Sequence, residues 1–451
     1  LGDCPGTRAP RSGCGRRSPN DTAYRFLGIY AVCARYPYTL QSMDPIRNPY
    51  APGAGQRPPE LAGRDEQLAA FDVVLERVAR GRPERSIVLT GLRGVGKTVL
   101  LNALRSAAVR AGWGTGKLEA RPDQSLRRPL ASALHQAIRE LGPSGGAGEH
   151  ALGVVRSFAQ KESGAGAKLR DRWNPGISAP AVAGRADSGD VEIDLVELLS
   201  DVGGMAQDTG RGVAIFIDEM QDLGADDVSA LCAACHEIAQ AGLPLVIVGA
   251  GLPHLPAVLS ASKSYSERLF RYVRIDRLDR LAADLALVAP AQDEGAGYSP
   301  DALGELYAVT GGYPYFLQAY GKAVWDKATA TPITLEDVRV AAPEAEAELA
   351  VGFFGSRYER ATPAERDYLR AMAEVADALS GAGGEGSGLA GGRGWVDAVP
   401  TAEVARVLGK RPQSLSPARD ALLKKGLIYS GERGQIAFTV PHFGKYLLDQ
   451  A

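Results

Sequence analysis

Residues 91–98 read Gly-Leu-Arg-Gly-Val-Gly-Lys-Thr, a spacing suited to holding phosphates. Glycines let successive backbone N–H groups curl around an anion, Lys97 adds a compact positive charge, and Thr98 offers an oxygen to Mg²⁺. The expected ligand contacts are Gly91, Gly94, Val95, Gly96, Lys97, Thr98 and Val99. Further along, an apolar run at 213–217 ends in Asp218-Glu219. Phosphoryl transfer needs mainly positioning and charge neutralisation. An acidic pair at a strand end supplies both: Asp218 would hold Mg²⁺ through water, and Glu219 would orient or deprotonate an attacking water. Alone, such a pair is equally a solvated strand end; the loop at 91–98 favours the catalytic reading.

The elements that must position these groups follow from periodicity. A buried strand at 86–90 leads straight into the glycine loop, and a helix follows it to about residue 112. Short apolar runs at 212–217 and 245–248, separated by a helical stretch at 226–240, predict a buried parallel sheet. Upstream, a Pro/Gly-rich stretch at 48–59 precedes an amphipathic helix at 66–78. Between 142 and 189 the pattern weakens to an insertion with loops around a short helix at 150–160. Helical patterns at 282–288, 300–310, 314–327 and 335–342 suggest a small all-helical domain. In the last unit, 401–408, 413–425, 427–430 and 435–440 read as helix, helix and hairpin, which is winged-helix order. A glycine-dense loop at 381–394 sets off its first helix.

Composition limits the function classes. The 451-residue chain carries 51 Lys and Arg against 53 Asp and Glu, so any nucleic-acid surface must be local. No apolar run of membrane-spanning length occurs, and five cysteines in so long a chain suit a reduced, cytoplasmic setting. The Arg-rich segment before Met43 reads as part of a disordered extension, residues 1–59, with a natural start near Met43. Cys232-Ala-Ala-Cys235-His236 matches a haem-attachment string, yet it falls on a helix of the core and reads better as a packed face.

The pair of motifs at 91–98 and 215–222 resembles AAA-type ATPases, and more narrowly the replication-initiator-like (origin-recognition-like) and STAND ATPases. The resemblance covers about residues 60–450 and implies an α/β fold. Its parts are a parallel-sheet P-loop domain at 60–276 in the order 5-1-4-3-2, a helical lid at 277–345, a linker at 346–361, and a C-terminal winged helix at 362–451. It implies ATP and Mg²⁺ as ligands and ATP hydrolysis as the activity. Leu61-Ala-Gly-Arg64 is similar to the adenine-side motif, and Gly312-Tyr-Pro314 to the motif whose proline touches the base. Arg268, in Ser-Tyr-Ser-Glu-Arg-Leu-Phe, stands where such proteins carry a finger for a neighbour's γ-phosphate, which implies a homo-oligomer. Two departures point to slow turnover: Gly249-Ala-Gly251 replaces a polar sensor after the fourth strand, and the Gly-Tyr-Pro region has no sensor arginine.

Seven Lys and Arg (406, 410, 411, 419, 424, 425 and 433) face three acids between 401 and 433. Arg411, Gln413, Ser414 and Arg419, with Lys424 and Lys425, are therefore candidates for contacts to double-stranded DNA; protein packing is the alternative. The leading expectation is a switch that couples ATP binding and slow hydrolysis to DNA binding. The alternatives are a nucleotide-gated scaffold acting through a partner protein, and a helper ATPase for transposition or replication loading.

Overall fold

A computed structural model describes residues 43–53, 55–143, 145–160, 176–382, 398–430, 434–440 and 442–450. The N-terminal half opens with α1 (Asp65–Ala79), β1 (Ser86–Thr90), α2 (Lys97–Arg110) and β2 (Gly114–Glu119). Then come α3 (Arg127–Leu141), α4 (Gly146–Gln160), α5 (Val191–Asp208), β3 (Val213–Asp218) and α6 (Ala225–Ala241). β4 (Leu245–Gly251), α7 (Leu255–Ser262), α8 (Ser266–Leu269) and β5 (Phe270–Arg274) close it. The five strands pair in parallel in the order β2-β3-β4-β1-β5, the 5-1-4-3-2 arrangement expected. β3 and β4 are buried at every position because helices cover both faces, so they read as continuous apolar runs. β2 carries no such run, and its glycines explain why. A Cβ at Gly114 would lie 2.4 Å from the Ala137 carbonyl oxygen, and one at Gly116 2.2 Å from that of Ala133, so α3 packs directly on the strand backbone.

The stretch expected as an insertion with loops around a short helix at 150–160 does contain that helix, α4, four residues longer at its start, with a second apolar core between α3, α5 and α6. A buried ion pair ties its base: Arg127 Nη2 donates to Asp194 Oδ2 at 2.6 Å. The same carboxylate accepts from the Ser188 amide and hydroxyl at 2.8 and 2.7 Å.

The helical lid comprises α9 (Arg280–Asp293), α10 (Pro300–Thr310), α11 (Pro314–Lys327) and α12 (Leu335–Leu349). The expectation of a disordered extension as far as residue 59 fails for residues 43–53 and 55–59. Tyr50 is buried against the lid, donating to the Leu287 carbonyl at 2.6 Å and accepting from Tyr298 Oη at 2.7 Å. The Trp325 indole donates to the Asp44 carbonyl at 3.0 Å. These buried contacts offset the ordering entropy that proline and glycine content alone led us to count against the segment. Residues 1–42 lie outside the described residues.

The span 346–361 is helical throughout its middle: α12 runs into a π-helical turn, Ala350–Gly355, and then α13 (Ser356–Glu359). The terminal unit holds α14 (Pro363–Ala382), β6 (Ala398–Pro400), α15 (Thr401–Val407), α16 (Pro412–Lys424), β7 (Ile428–Tyr429), β8 (Gln435–Phe438) and α17 (Phe443–Asp449). Its antiparallel sheet runs β6-β8-β7. Most of the glycine-dense stretch, and Arg433, lie outside the described residues.

Replacing Asp194 by Ala would leave the Arg127 guanidinium buried without its carboxylate, and should cost about 3–5 kcal/mol in denaturant unfolding. Burial raises the Asp194 carboxyl, but hydrogen bonds from Ser188 and Arg127 outweigh it and hold it below the usual range. Its contribution is therefore present at neutral pH and lost as pH falls through the lowered value, so the gap between wild type and variant should shrink in acid.

Candidate functional site

The loop at 91–98 bends where β1 ends and α2 begins. Gly94 and Gly96 have φ of 82° and 89°, a region that favours glycine, and Gly96 is the N-cap of α2. Gly91 has no room for a side chain, since a Cβ there would sit 2.2 Å from the Ile275 carbonyl oxygen. The Lys97 ammonium donates to the carbonyls of Gly91 at 2.9 Å and Leu92 at 2.7 Å. Burial lowers its pKa to about 8; Glu219 and Asp218 pull upward, and Arg93 lowers it further. The loop thus holds a cation short of counter-charge beside a helix N-terminus, which is suited to a polyanion.

β3 delivers Asp218, buried, with Glu219 just past the strand end in a left-handed conformation of φ 51°. Thr98 hydrogen-bonds to the Asp218 carboxylate, and the Glu219 amide donates to Asp218 Oδ1 at 3.0 Å. Burial raises Asp218 despite the Thr98 bond, and the Glu219 charge raises it further. A hydroxyl and a carboxylate on one another are hard oxygen donors of the kind Mg²⁺ takes, and a cation would favour the ionised acid. Gln221 is a member of the site that the sequence reading missed. Its Nε2 donates to Glu219 Oε2 at 2.6 Å, and its Oε1 accepts from the Leu252 amide at 3.0 Å, so it ties the glutamate to the end of β4. The glycines of β4 make this possible. A Cβ at Gly249 would collide with Met220 Sδ at 1.8 Å, and one at Gly251 would come within 2.8 Å of Gln221 Oε1.

Gly94 to Val99 and Glu219 line a cleft of about 450 Å³, with Gly91, Asp218 and Gln221 behind its wall. Arg64 and Pro314 both line the cleft. Arg64 donates to the carbonyls of Asp276 at 2.6 Å and Val95 at 3.2 Å, and burial lowers its pKa against the pull of Asp276 and Asp279. Gly53, Gly55, Gln56 and Pro58, from the strap that residues 43–53 and 55–59 form ahead of α1, also form the wall, and so do Phe353, Arg357 and Arg360 from the helical segment leading to the terminal unit. None of these sits in a motif, so only the fold could reveal them. Arg268 lies exposed on α8, outside the cleft. Lys425 was expected on a DNA-facing surface; instead its ammonium is held by Glu365 at 2.6 Å and the Arg360 carbonyl at 2.9 Å, in the cleft wall. Arg411, Gln413, Ser414 and Lys424 are exposed on and beside α16, and Arg419 is half-buried next to Asp420.

The family model described as an AAA ATPase domain matches residues 60–248. That stretch has the parallel-sheet α/β fold of a P-loop domain and is similar to AAA ATPase domains. Residues 351–447 match a domain of unknown function (DUF8462). No curated protein matches the chain. Among solved structures, the Walker-type ATPase PABY2304 of Pyrococcus abyssi is 17% identical, with 87% of this chain and 97% of that chain covered at a TM-score of 0.51. Cdc6p of Pyrobaculum aerophilum is 15% identical, with 91% and 99% covered at 0.42. The Aeropyrum pernix ORC1 protein, solved in complex with DNA, is 14% identical, with 87% and 94% covered at 0.41. The likeness to the first is one of fold. Among the described residues no helix is long and apolar enough to cross a membrane.

The lowered Lys97 pKa gives the parallel-sheet domain a pH signature. Phosphates favour the ammonium, so near pH 8 nucleotide binding should take up protons, and affinity should weaken as pH rises above about 8. Calorimetry in buffers of different ionisation enthalpy reads this uptake. Lys97→Ala should abolish nucleotide binding, uptake included, and unchanged affinity in that variant would exclude Lys97 from the phosphate site.

Proposed function

We propose that this protein is an ATP-driven molecular switch whose nucleotide state governs duplex DNA binding by a terminal winged helix. The observation that carries this reading is the wall of the cleft: one face comes from the phosphate loop and the other from the segment entering the terminal unit. A nucleotide between them would bear on both. Gly94, Val95, Gly96, Lys97, Thr98 and Val99, which line the cleft, would cradle the phosphates, with Arg64 and Pro314 on the base side; Gly91 would only start the turn, its amide being given to the Gly251 carbonyl. Thr98 and Asp218 would hold Mg²⁺, which when bound neutralises phosphate charge. Glu219 would orient the attacking water and accept its proton, held in place by Gln221. Turnover is slow on this reading because β4 ends in Gly249-Ala-Gly251, which offers no polar side chain, and because Arg93 shares the Glu219 carboxylate at 3.9 Å. Arg268, exposed on α8, would act on a neighbouring subunit's nucleotide.

The terminal unit supports DNA through element order and exposure. α15, α16 and the β7–β8 pair follow winged-helix order, and Arg411, Gln413 and Ser414 stand exposed at the start of α16 where base edges and phosphates are within reach. Arg419 and Lys424 extend that surface.

The test is ATP turnover by the whole protein with and without duplex DNA. Glu219→Gln should keep nucleotide affinity and lose about 100-fold or more in turnover, since an amide cannot take the proton. Gly251→Ala should lower turnover in the same sense by displacing Gln221. In duplex titrations, about four neutralised phosphates give a slope of log K against log salt near −3.6, and Arg411→Ala should flatten it by about one unit. Salt-insensitive binding, or none with or without ATP, would instead make the terminal unit a protein-docking module.

A further inference from the structure

The phosphate end of the cleft gathers more positive charge than the phosphate loop supplies. Arg93 and Lys97 come from the loop; Arg357 and Arg360 come from α13 and the residue after it. The Arg357 guanidinium lies over the Phe353 ring, 3.7 Å from its centroid, and donates to the Phe353 carbonyl. Phe353 stacks on Tyr315 at 4.7 Å, and a Cβ at Gly94 would lie 3.5 Å from Phe353 Cζ, so this platform sits directly on the phosphate loop. Neither Arg357 nor Arg360 has a carboxylate within ion-pair distance among the described residues. Among the described residues Arg93 has only Glu219 as an ion-pair partner, at 3.9 Å, and its buried Nε has no hydrogen-bond partner. Burial, then Arg93 and Arg360, lowers the Arg357 pKa to about 10, with Tyr315 and Glu219 opposing. Mutually repelling, partly desolvated guanidiniums are stable neighbours only with an anion among them.

The end of the cleft they occupy is set by Glu219. It lies at the attacking-water side of the phosphate chain, and both Arg93 and Arg357 feel its charge. The base side, by contrast, is walled by Arg64, Pro314 and the strap.

We propose that Arg357, with Arg360 beside it, binds the outermost phosphate of the nucleotide in cis, so that the segment entering the terminal unit distinguishes a nucleoside triphosphate from a diphosphate. The inference rests on the ATP-binding reading above and adds to it the residues that count phosphates. They are carried outside the lid, on the stretch that leads to α14.

Calorimetric titration of the whole protein with MgATP and with MgADP tests it. Arg357→Gln should weaken ATP about 10- to 100-fold, as expected for the loss of one charge-assisted contact, and change ADP less than about 2-fold. Arg360→Ala should act in the same direction by about 3- to 10-fold. Because Arg357 also packs on Phe353, its variant is compared at equal melting temperature; Arg360 is exposed, its side chain without a partner among the described residues, and decides the matter if Arg357→Gln unfolds. Equal losses for both nucleotides, or unchanged ATP affinity in both variants, would overturn the phosphate-counting role while leaving the site reading intact. A wild-type protein that binds neither nucleotide would overturn the site reading itself.

Discussion

Every part of the phosphate end meets at the side chain of Arg93. It faces the Glu219 carboxylate at 3.9 Å, its charge lowers the pKa of both Lys97 and Arg357, and the terminal unit rests on it. That last contact is close: a Cβ at Gly426, in the turn between α16 and β7, would come within 3.1 Å of Arg93 Nε and 2.7 Å of Leu252 Cδ1. Gly426 has φ 63°, so glycine meets both the backbone and the steric demand there. Leu252 is the residue whose amide fixes Gln221, and Gln221 fixes Glu219. The catalytic candidate, the phosphate loop and the terminal unit are therefore one connected set of contacts.

The energetic character of that set is frustration relieved by a ligand. Partly buried cations without full counter-charge oppose this packing, while apolar contacts favour it. Phe353 and Phe354 join the aromatic cluster of Phe316, Phe443 and Tyr446, which bridges lid and terminal unit. A polyphosphate would remove the opposition without altering the packing, so closure would tighten in proportion to the charge supplied. A device of this kind biases a domain position by a differential affinity, which is all a ligand can contribute to a conformational equilibrium.

Legibility in the sequence followed the range of the interactions. The phosphate loop, the Asp218-Glu219 pair, the strands β1, β3 and β4 and the lid helices could be read because each is specified by neighbours in the chain. β2 could not, since Gly114 and Gly116 are there to admit the α3 backbone and leave no apolar alternation. The strap at 43–59 was misread because its partners, Leu287, Tyr298 and Trp325, lie more than 200 residues away. Gln221 was hidden for a related reason: besides offering no polar side chain, Gly249 and Gly251 clear space for Met220 and Gln221, which follow β3, and that can be seen only in the fold. Arg357 and Arg360 had no motif to mark them, and their significance lies in a cleft that exists only once Phe353, in the turn before α13, packs on the loop.

The same geometry constrains how nucleotide could reach DNA under the proposed function. α16 has two ends with different duties. Its C-terminal end, through Lys425 and Gly426, is fastened to Glu365 and seated on Arg93. Its N-terminal end, with Arg411, Gln413 and Ser414, faces solvent while that contact is made. Docking therefore does not cover the residues that would read bases, and a nucleotide need not uncover them. What it could change is the angle of α16 relative to the parallel-sheet domain, because the turn after the helix touches Arg93 of the phosphate loop. On that geometry, the switch would act through the alignment of the terminal unit with other DNA-contacting surfaces, in this chain or in a neighbouring copy. Affinity of the isolated helix surface for phosphates would be the same in either state, and the nucleotide would alter how many such surfaces engage one duplex at once.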